Sequence, residues 1–415
     1  MNCHRVVITG YGAVSPYGIG ADKMFQGLYA NRSAVVNIRE WLGSRASAFH
    51  CQVAAPLQEN PDPRLVPRTF RRNMGPLAIL AHRACVDAIA HAAVPEEAVG
   101  TPDFGIVFSS TTGSAEAMEE SFRVYFEDTQ RVLPNSGSFF KIMSHTCTAN
   151  VAHALGLRGV AYSVSSACAS STQAIGIAFD LLRNGRQEMI LCGGAEEMHP
   201  LALLVFDLLQ AASWKFNDRP AATPRPFDAL RDGTVCGAGA GALVLETEAS
   251  ALRRKARIWG EIVGFASNID PSSMAQSSED SITACMKAAL ADAGAAPEEI
   301  DYVNAHATAT LAGDVSEARA IRDVFGGRAV PVSSLKGHMG HTLAAAGVLE
   351  TIGTLEMMRR GRLIPSLNLE TPGPDIAVLN HVPAAGSETR VRCAMKNSFA
   401  FGGINAVLIV KEYAG

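Results

Sequence analysis

The sequence lacks the cysteine spacings of zinc sites and of CxxC redox motifs. Its nine cysteines are scattered along 415 residues and form an odd set, which favours reduced thiols in a cytoplasmic protein. We therefore expect one cysteine to be a candidate for chemistry and most of the others to fill buried space.

A charge imbalance, a secretion signal and a long apolar run are missing as well. Thirty-six basic against forty acidic residues give a net charge of -4, which provides no general attraction for nucleic acid or an anionic membrane. The start, MNCHRVVITG, has no basic segment followed by an apolar stretch, so no signal peptide is expected. The most apolar helix candidate, 201–212, is short and contains Asp207 and Gln210, so it is not expected to span a membrane.

What the sequence does contain is a rhythm of short β-branched runs and Ala/Leu-rich helical stretches, with 37 glycines. The runs are VVITG (6–10), FGIVFSS (104–110), MILCGG (189–194) and GALVLE (241–246). A second series follows Arg257 and includes a predicted helix at 279–293. This pattern predicts an α/β protein built from βαβ units around buried, mainly parallel sheets. We divide it into halves at 1–254 and 255–415, although no sequence repeat relates them.

Cys168 lies in the strongest local feature, GVAYSVSSACASSTQAIGIAFDLLRNG. A strand ends in small residues, the cysteine occupies the turn, and a helix follows that ends at Asn184 and Gly185. A thiol at a helix N-terminus is favoured as thiolate, and its own N–H can face a developing oxyanion. An isolated cysteine is more often a buried structural residue, so further residues must support this interpretation.

Two histidine segments provide that support. YVNAHATATLAGDVSEARA places His306 at the end of a strand, and Asp314 with Glu317 predicts a capping box at the start of the next helix. VSSLKGHMGHTLAAAGVLE places Lys336 and His341 five residues apart around a glycine-containing turn, with His341 opening an Ala-rich helix. Each residue alone is more often structural, but together with Cys168 they fit one site.

In their order and separation, these three segments resemble the Cys-His-His signatures of the β-ketoacyl-[acyl-carrier-protein] synthases of type II fatty-acid and polyketide synthesis. The resemblance extends over nearly the whole chain. It includes VVITGYGAVSPYG at the start, SSTTGS (109–114), RPFDALRDG (225–233) and NSFAFGGINA (397–406).

The resemblance implies a thiolase-like, five-layer αβαβα fold with two pseudo-duplicated halves, in a homodimer or a heterodimer with a related subunit. It implies that Cys168 accepts an acyl chain and that His306 and His341 stabilise the enolate from malonyl decarboxylation. Initiating synthases of this group have asparagine in place of His341, so the elongating type is expected. Substrates would arrive on the phosphopantetheine arm of acyl carrier protein, with no other cofactor.

Further roles follow from the same resemblance. The backbone N–H groups of Cys168 and Phe401 would form the oxyanion hole, with Phe401 and Gly402 in the gating loop AFGG. Lys336 would orient the site with Glu317 as its carboxylate partner, and Asp314 would support it.

The chain also departs from the family pattern. It has Ala307, Ala309 and Ala400 where glycine or serine is usual, Ala238 where glutamate is usual, and Ile404 where threonine is usual. Added methyl groups near the acyl pocket and the gate resist any backbone that needs a positive φ. Substrate choice is the property that these changes most affect.

A cluster of arginines is a candidate docking site for an acidic carrier protein. PDPRLVPRTFRRNMG places Arg64, Arg68, Arg71 and Arg72 within nine residues at the start of a predicted helix. In the resembled family, a basic patch at this place receives the carrier.

Three alternatives stay open. A non-catalytic partner subunit, like the chain-length factors, would lack the nucleophilic cysteine. A cysteine thioesterase would use an Asp or Asn orienter, take water as acyl acceptor and need no Lys336. A metal site at His338 and His341 has a possible zinc spacing, but no carboxylate or cysteine completes it, so no metal is expected.

Overall fold

The computed structural model describes residues 3–127 and 136–415. We number the principal strands β1 Val6–Ser15, β2 Phe104–Ser109, β3 Ala161–Val164, β4 Met189–Glu196, β5 Gly239–Thr247, β6 Gly260–Ile269, β7 Tyr302–Asn304, β8 Pro331–Ser333, β9 Cys393–Phe399 and β10 Ile404–Lys411. The principal helices are α1 Ala21–Tyr29, α2 Pro76–His91, α3 Ala115–Glu127, α4 Gly137–Ile142, α5 Thr146–Leu155, α6 Ser170–Arg183, α7 Pro200–Leu208, α8 Glu248–Arg253, α9 Glu279–Ala293, α10 Leu311–Phe325 and α11 Ala346–Arg360.

The remaining elements are short. Two-residue strands lie at Gly18–Ile19, Val36–Asn37, Val53–Ala54, Arg362–Leu363, Asn380–His381 and Ser387–Glu388, and one-turn helices at Arg39–Leu42, Arg68–Arg71, Glu96–Val99 and Lys336–Met339. No helix within the described ranges is both long and apolar enough to cross a membrane.

The two halves repeat one strand arrangement. The first half has the order β3-β2-β4-β5-β1 and the second β8-β7-β9-β10-β6, which is the same order by position in each half. In each set, the first three strands are parallel neighbours. The fourth strand pairs antiparallel with both the third and the fifth. β1 pairs with β6 to join the sets. The duplicated α/β architecture is therefore confirmed, and the proposed boundary at 254 lies between α8 and β6.

Helices cover both faces of each half-sheet. α2 and α5 pack outside the first half, α9 and α10 outside the second, and α6 and α11 lie between the halves. α11 is buried on nearly every side although it carries polar residues such as Glu350 and Thr351, so these side chains need partners inside the fold. It approaches α6 so closely that a Cβ atom on Gly347 would lie 2.2 Å from the Thr172 hydroxyl. The five αβαβα layers therefore bring the ends of α6 and α11 together.

Several local predictions hold and others need correction. The predicted helix at 279–293 is α9 without a shift. The capping box is wrong, because α10 begins at Leu311, three residues before Asp314, and both Asp314 and Glu317 are buried and turned inward. The arginine cluster does not start α2 but lies on an earlier one-turn helix at Arg68–Arg71 and the turn before it, since Pro76 begins a separate helix.

Candidate active site

Cys168 lies on a 3₁₀ turn, Ala167–Ala169, between β3 and α6. Its side chain is 5% exposed. The preceding Ala167 has φ +46°, a left-handed conformation that costs about 1–2 kcal/mol for a residue other than glycine. This strained turn presents the thiol at the N-terminal end of the central helix.

The surroundings of Cys168 favour the thiol over the thiolate. Burial raises its pKa to about 12, while the charge of Lys336 and hydrogen bonds from the backbone N–H groups of Phe401 and Cys168 itself oppose the rise. The expectation that the helix terminus alone favours thiolate is therefore wrong for the protein without substrate, and acylation requires a proton acceptor. These two N–H groups are the pair that the family resemblance assigns to the oxyanion hole.

His306 and His341 converge on this thiol from the second half. The reactive atoms of the three side chains all lie within 4.8 Å of one another, and the two imidazole rings meet edge to face with centroids 5.3 Å apart. His306 follows β7, as predicted. His341 does not open a helix but lies in an extended segment whose backbone pairs with residues 235–237 of the first half. The site is thus formed by both halves.

Both histidines are neutral at pH 7. Burial lowers the pKa of each well below its ordinary 6.5, and the charges of Lys336 and Lys396 lower it further. Nδ1 of His306 and both ring nitrogens of His341 have no partner within the described part of the chain. Neutral imidazoles with free nitrogens can donate one hydrogen bond and accept one proton. His338, in contrast, points away toward Asn31.

Glu317 is not the partner of Lys336, which corrects the sequence-based prediction. Its carboxylate accepts hydrogen bonds from the backbone N–H groups of His306 (2.9 Å) and Ala307 (2.7 Å), and from the Asn397 amide (2.9 Å). Lys336 instead donates to Glu350 on α11 at 2.6 Å. Glu317 thus fixes the loop that carries His306, and its oxygens are already occupied.

Asp314 supports the same loop. It accepts hydrogen bonds from the backbone N–H groups of Ala309 (3.0 Å) and Phe227 (2.7 Å). Ala309 has φ +69°, whereas Ala307 and Ala400 are not among the residues with positive φ. Of the alanines that depart from the family pattern in this region, Ala309 alone holds the strained conformation, and Asp314 helps to impose it.

The gating loop closes the other side of the site. The Phe401 ring packs on Phe206 with centroids 5.4 Å apart. Gly402 and Gly403 have φ values of +87° and +73°, which only glycine adopts readily. The Gly402 N–H donates to the Met274 carbonyl at 2.7 Å. A cavity of about 270 Å³ lies between this loop and the three reactive side chains.

Two residues of the site, Glu350 and Lys396, were not predicted from the sequence. Both are at most 1% exposed, and the Lys396 ammonium lies 2.8 Å from the second carboxylate oxygen of Glu350. A signal was present, because each is the single charged residue of its segment, LETIG and CAMKNSF. Buried charges are rare unless paired.

The predicted docking arginines lie outside the cavity. Arg68 and Arg72 are exposed, Arg64 pairs with Asp62 at 3.0 Å, and Arg71 donates to the Pro63 carbonyl at 3.3 Å. Their role in docking stays a prediction.

A buried thiol, two neutral histidines and two backbone N–H groups that face the thiol define a thiol-dependent acyl-transfer site. The model of the beta-ketoacyl synthase N-terminal domain matches residues 4–251, and that of the C-terminal domain matches 259–370. The chain therefore belongs to the β-ketoacyl synthase family, whose members are condensing acyltransferases of fatty-acid or polyketide biosynthesis.

Individual relatives agree over almost the whole chain. A 3-oxoacyl-[acyl-carrier-protein] synthase 1 of Haemophilus influenzae is 35% identical, covering 99% of this chain and 100% of the relative. The enzyme of that name from Escherichia coli K12 is 35% identical, covering 98% and 99%. A crystal structure of a beta-ketoacyl synthase from Burkholderia phymatum superposes with a TM-score of 0.95 at 40% identity, covering 99% and 100%. The ishigamide ketosynthase/chain length factor has a TM-score of 0.90 at 31% identity, covering 99% and 100%.

Proposed function

We propose that the chain is an elongating synthase that extends an acyl group on Cys168 by two carbons from malonyl-carrier protein. The observation that carries this proposal is the meeting of Cys168, His306 and His341 within 4.8 Å beneath the backbone N–H groups of Cys168 and Phe401.

In the first half-reaction, Cys168 attacks the thioester carbonyl of an acyl carrier. A neutral histidine accepts the thiol proton, because the thiol does not ionise by itself at neutral pH. The carbonyl oxygen becomes negative and accepts hydrogen bonds from the N–H groups of Cys168 and Phe401. The carrier thiolate leaves with the proton that the histidine held, and the acyl group remains on sulfur.

In the second half-reaction, the malonyl thioester oxygen lies between His306 and His341. Loss of CO₂ leaves the electron pair of the broken carbon–carbon bond in an enolate. The enolate oxygen accepts hydrogen bonds from both imidazoles. The enolate carbon attacks the acyl carbonyl on Cys168, the carbon–sulfur bond breaks, and the departing cysteine thiolate takes up one proton from solvent. Each step uses groups of the chain, so the proposal calls for no cofactor beyond the carrier's phosphopantetheine arm.

A thioesterase is disfavoured by the surroundings of His341. Neither of its ring nitrogens bonds a carboxylate or amide orienter within the described residues, whereas a hydrolytic Cys-His pair uses one. The discriminating experiment is intact-protein mass spectrometry after incubation with acyl-carrier protein. A stable acyl adduct that disappears in Cys168→Ala supports the proposal, and an adduct that decays to free acid without malonyl-carrier protein contradicts it.

The carrier is an acidic protein in this proposal, and the exposed arginines receive it. One structural relative is a ketosynthase whose structure was solved in complex with its type II polyketide synthase acyl-carrier protein. Arg68 and Arg72 are exposed and have no ion pair in the described structure, so their charges are available to a carrier.

Reversal of both charges, Arg68→Glu with Arg72→Glu, is expected to raise the KM for acyl-carrier protein about tenfold or more. The KM for a small acyl-pantetheine thioester should not change, because that substrate does not reach the patch. The matched control, Arg322→Glu with Arg392→Glu, reverses two exposed arginines on the second half. Equal effects of the two double variants on carrier KM would overturn the docking site.

A second subunit is proposed to pair with β3. This strand ends the sheet, and its residues are exposed or half-buried, including Tyr162 at 47%. An open sheet edge presents unpaired N–H and C=O groups with which a strand of another chain can pair. Aromatic side chains are also exposed on α3 and α4 of the same half: Phe122, Tyr125, Phe126, Phe139 and Phe140.

Light scattering of the purified chain identifies the partner. We expect twice the 43.8 kDa mass of one chain if the partner is a second copy, and the monomer mass if a related subunit is required. Ser163→Pro should yield monomers, since the backbone N–H of Ser163 faces away from β2 and proline removes this hydrogen-bond donor from the pairing edge. A dimer unaffected by that substitution would contradict pairing at β3.

A further inference from the structure

Three consecutive residues of β9 connect to every part of the site. Lys396 pairs with Glu350, which holds Lys336. The Asn397 amide donates to Glu317, which holds the His306 loop. Ser398 shares a hydrogen bond of 2.7 Å with Thr172 on α6, one turn after Cys168.

Lys396 is the residue of this strand whose burial most requires an explanation. Its side chain is 0% exposed, and oxygens surround its ammonium: the Glu350 carboxylate at 2.8 Å, the Ser398 hydroxyl at 3.1 Å and the Asn397 carbonyl. An unpaired ammonium in such a place would lose its proton or destabilise the fold. Here the surrounding oxygens compensate for its desolvation.

Two ammonium groups meet one carboxylate at the centre of this cluster. Lys336 and Lys396 share the carboxylate of Glu350, one on each oxygen. The other carboxylate that faces Lys396 is Glu317 on α10, whose oxygens accept hydrogen bonds from the His306 loop. The remaining groups that face the Lys396 ammonium are Lys336 on its one-turn helix and the rings of His306 and His341.

We infer that Lys396 is a positioning residue that fixes Glu350 and through it Lys336, and that its ammonium supplies a positive charge to the decarboxylation site. The inference rests on the proposed function. A fixed cation near the enolate oxygen stabilises the negative charge that forms there. The same cation disfavours imidazolium, which keeps both histidines in the neutral form that the reaction uses.

Lys396→Met, which keeps the length and apolar stem of the side chain, is the direct test. The histidines should become easier to protonate, so the acid limb of malonyl decarboxylation should move up by about one pH unit. The decarboxylation rate at pH 8 should fall about tenfold or more. The rate of acyl transfer to Cys168, measured by mass spectrometry, should fall much less because this half-reaction forms no enolate.

Two further measurements separate positioning from mere structural damage. In Lys396→Ala, methylammonium should restore decarboxylation toward the native rate, because it places an ammonium among the same oxygens. Lys411→Met, an exposed lysine on β10, should leave rate and pH profile unchanged. A native acid limb in Lys396→Met, or no response to methylammonium in a folded Lys396→Ala, would overturn the inference.

The native chain gives a readout that needs no variant. Its decarboxylation rate should show no histidine titration near the ordinary pKa of 6.5. An acid limb centred there would contradict the charge role of Lys396 even if neither variant folds. Failure of the native chain to form any acyl adduct would instead contradict the proposed function, so the two failures are distinguishable.

Discussion

Alanine in place of His306 or His341 is expected to lower malonyl decarboxylation about a thousandfold. In the proposed mechanism both imidazoles donate a hydrogen bond to the same enolate oxygen, so the loss of either imidazole removes one of these two hydrogen bonds. Acylation of Cys168 should fall only about tenfold, because one remaining histidine within 4.8 Å of the sulfur still accepts the thiol proton. Decarboxylation is measured as CO₂ release, and acylation is measured by intact-protein mass spectrometry.

His338→Ala is the matched control for these variants. His338 is as buried as His341 and three residues away in sequence, but its ring contacts Asn31 outside the cavity. Its loss should affect both half-reactions alike and modestly. If the His306 and His341 variants lost decarboxylation and acylation equally, the division of labour between thiol activation and enolate stabilisation would be wrong.

Glu350→Gln should destabilise the fold more than any other single substitution considered for this site. It leaves Lys336 and Lys396 without their carboxylate in a region that is at most 1% exposed. Removing one partner of a buried ion pair costs about 3–5 kcal/mol, which thermal unfolding would detect as a Tm lower by several degrees.

The loss should also depend on pH. Without Glu350, the pKa of one lysine falls further below its unfolded value, so the folded state binds fewer protons than the unfolded state and stability rises with pH. The Tm deficit should therefore be larger at pH 6 than at pH 9. Glu412→Gln, which removes a surface pair with Arg390, should cost less than about 1 kcal/mol. Equal Tm values for Glu350→Gln and the native chain would show that the cluster is not ionised as described.

The positions of Cys168, His306 and the strands that carry them follow from local pattern. Each follows a strand that ends in small residues, and parallel strands bring such ends to one edge of the fold. The duplicated strand order was not visible in the residues, because each half buries the same architecture with different side chains. α9 was predicted without a shift because its caps, Ser278 and Gly294, are local signals.

The polar supports of the site were harder to predict. Asp314 and Glu317 have the spacing of a capping box, but tertiary contacts turned both inward to hold the loop of His306. The partner of Lys336 is 14 residues away on a helix that crosses the centre of the molecule, and Lys396 approaches from another strand. Partners of this kind depend on packing between distant segments, which no local pattern encodes.

The most direct test of the account is a malonyl chase of the acylated enzyme. Purified chain carrying an acyl adduct on Cys168 is mixed with malonyl-carrier protein, and the masses of enzyme and carrier are followed together. The account predicts that the adduct disappears while a β-ketoacyl-carrier protein two carbons longer appears in equal amount. An adduct that persists, or that disappears with release of free acid and no extended carrier, would contradict it.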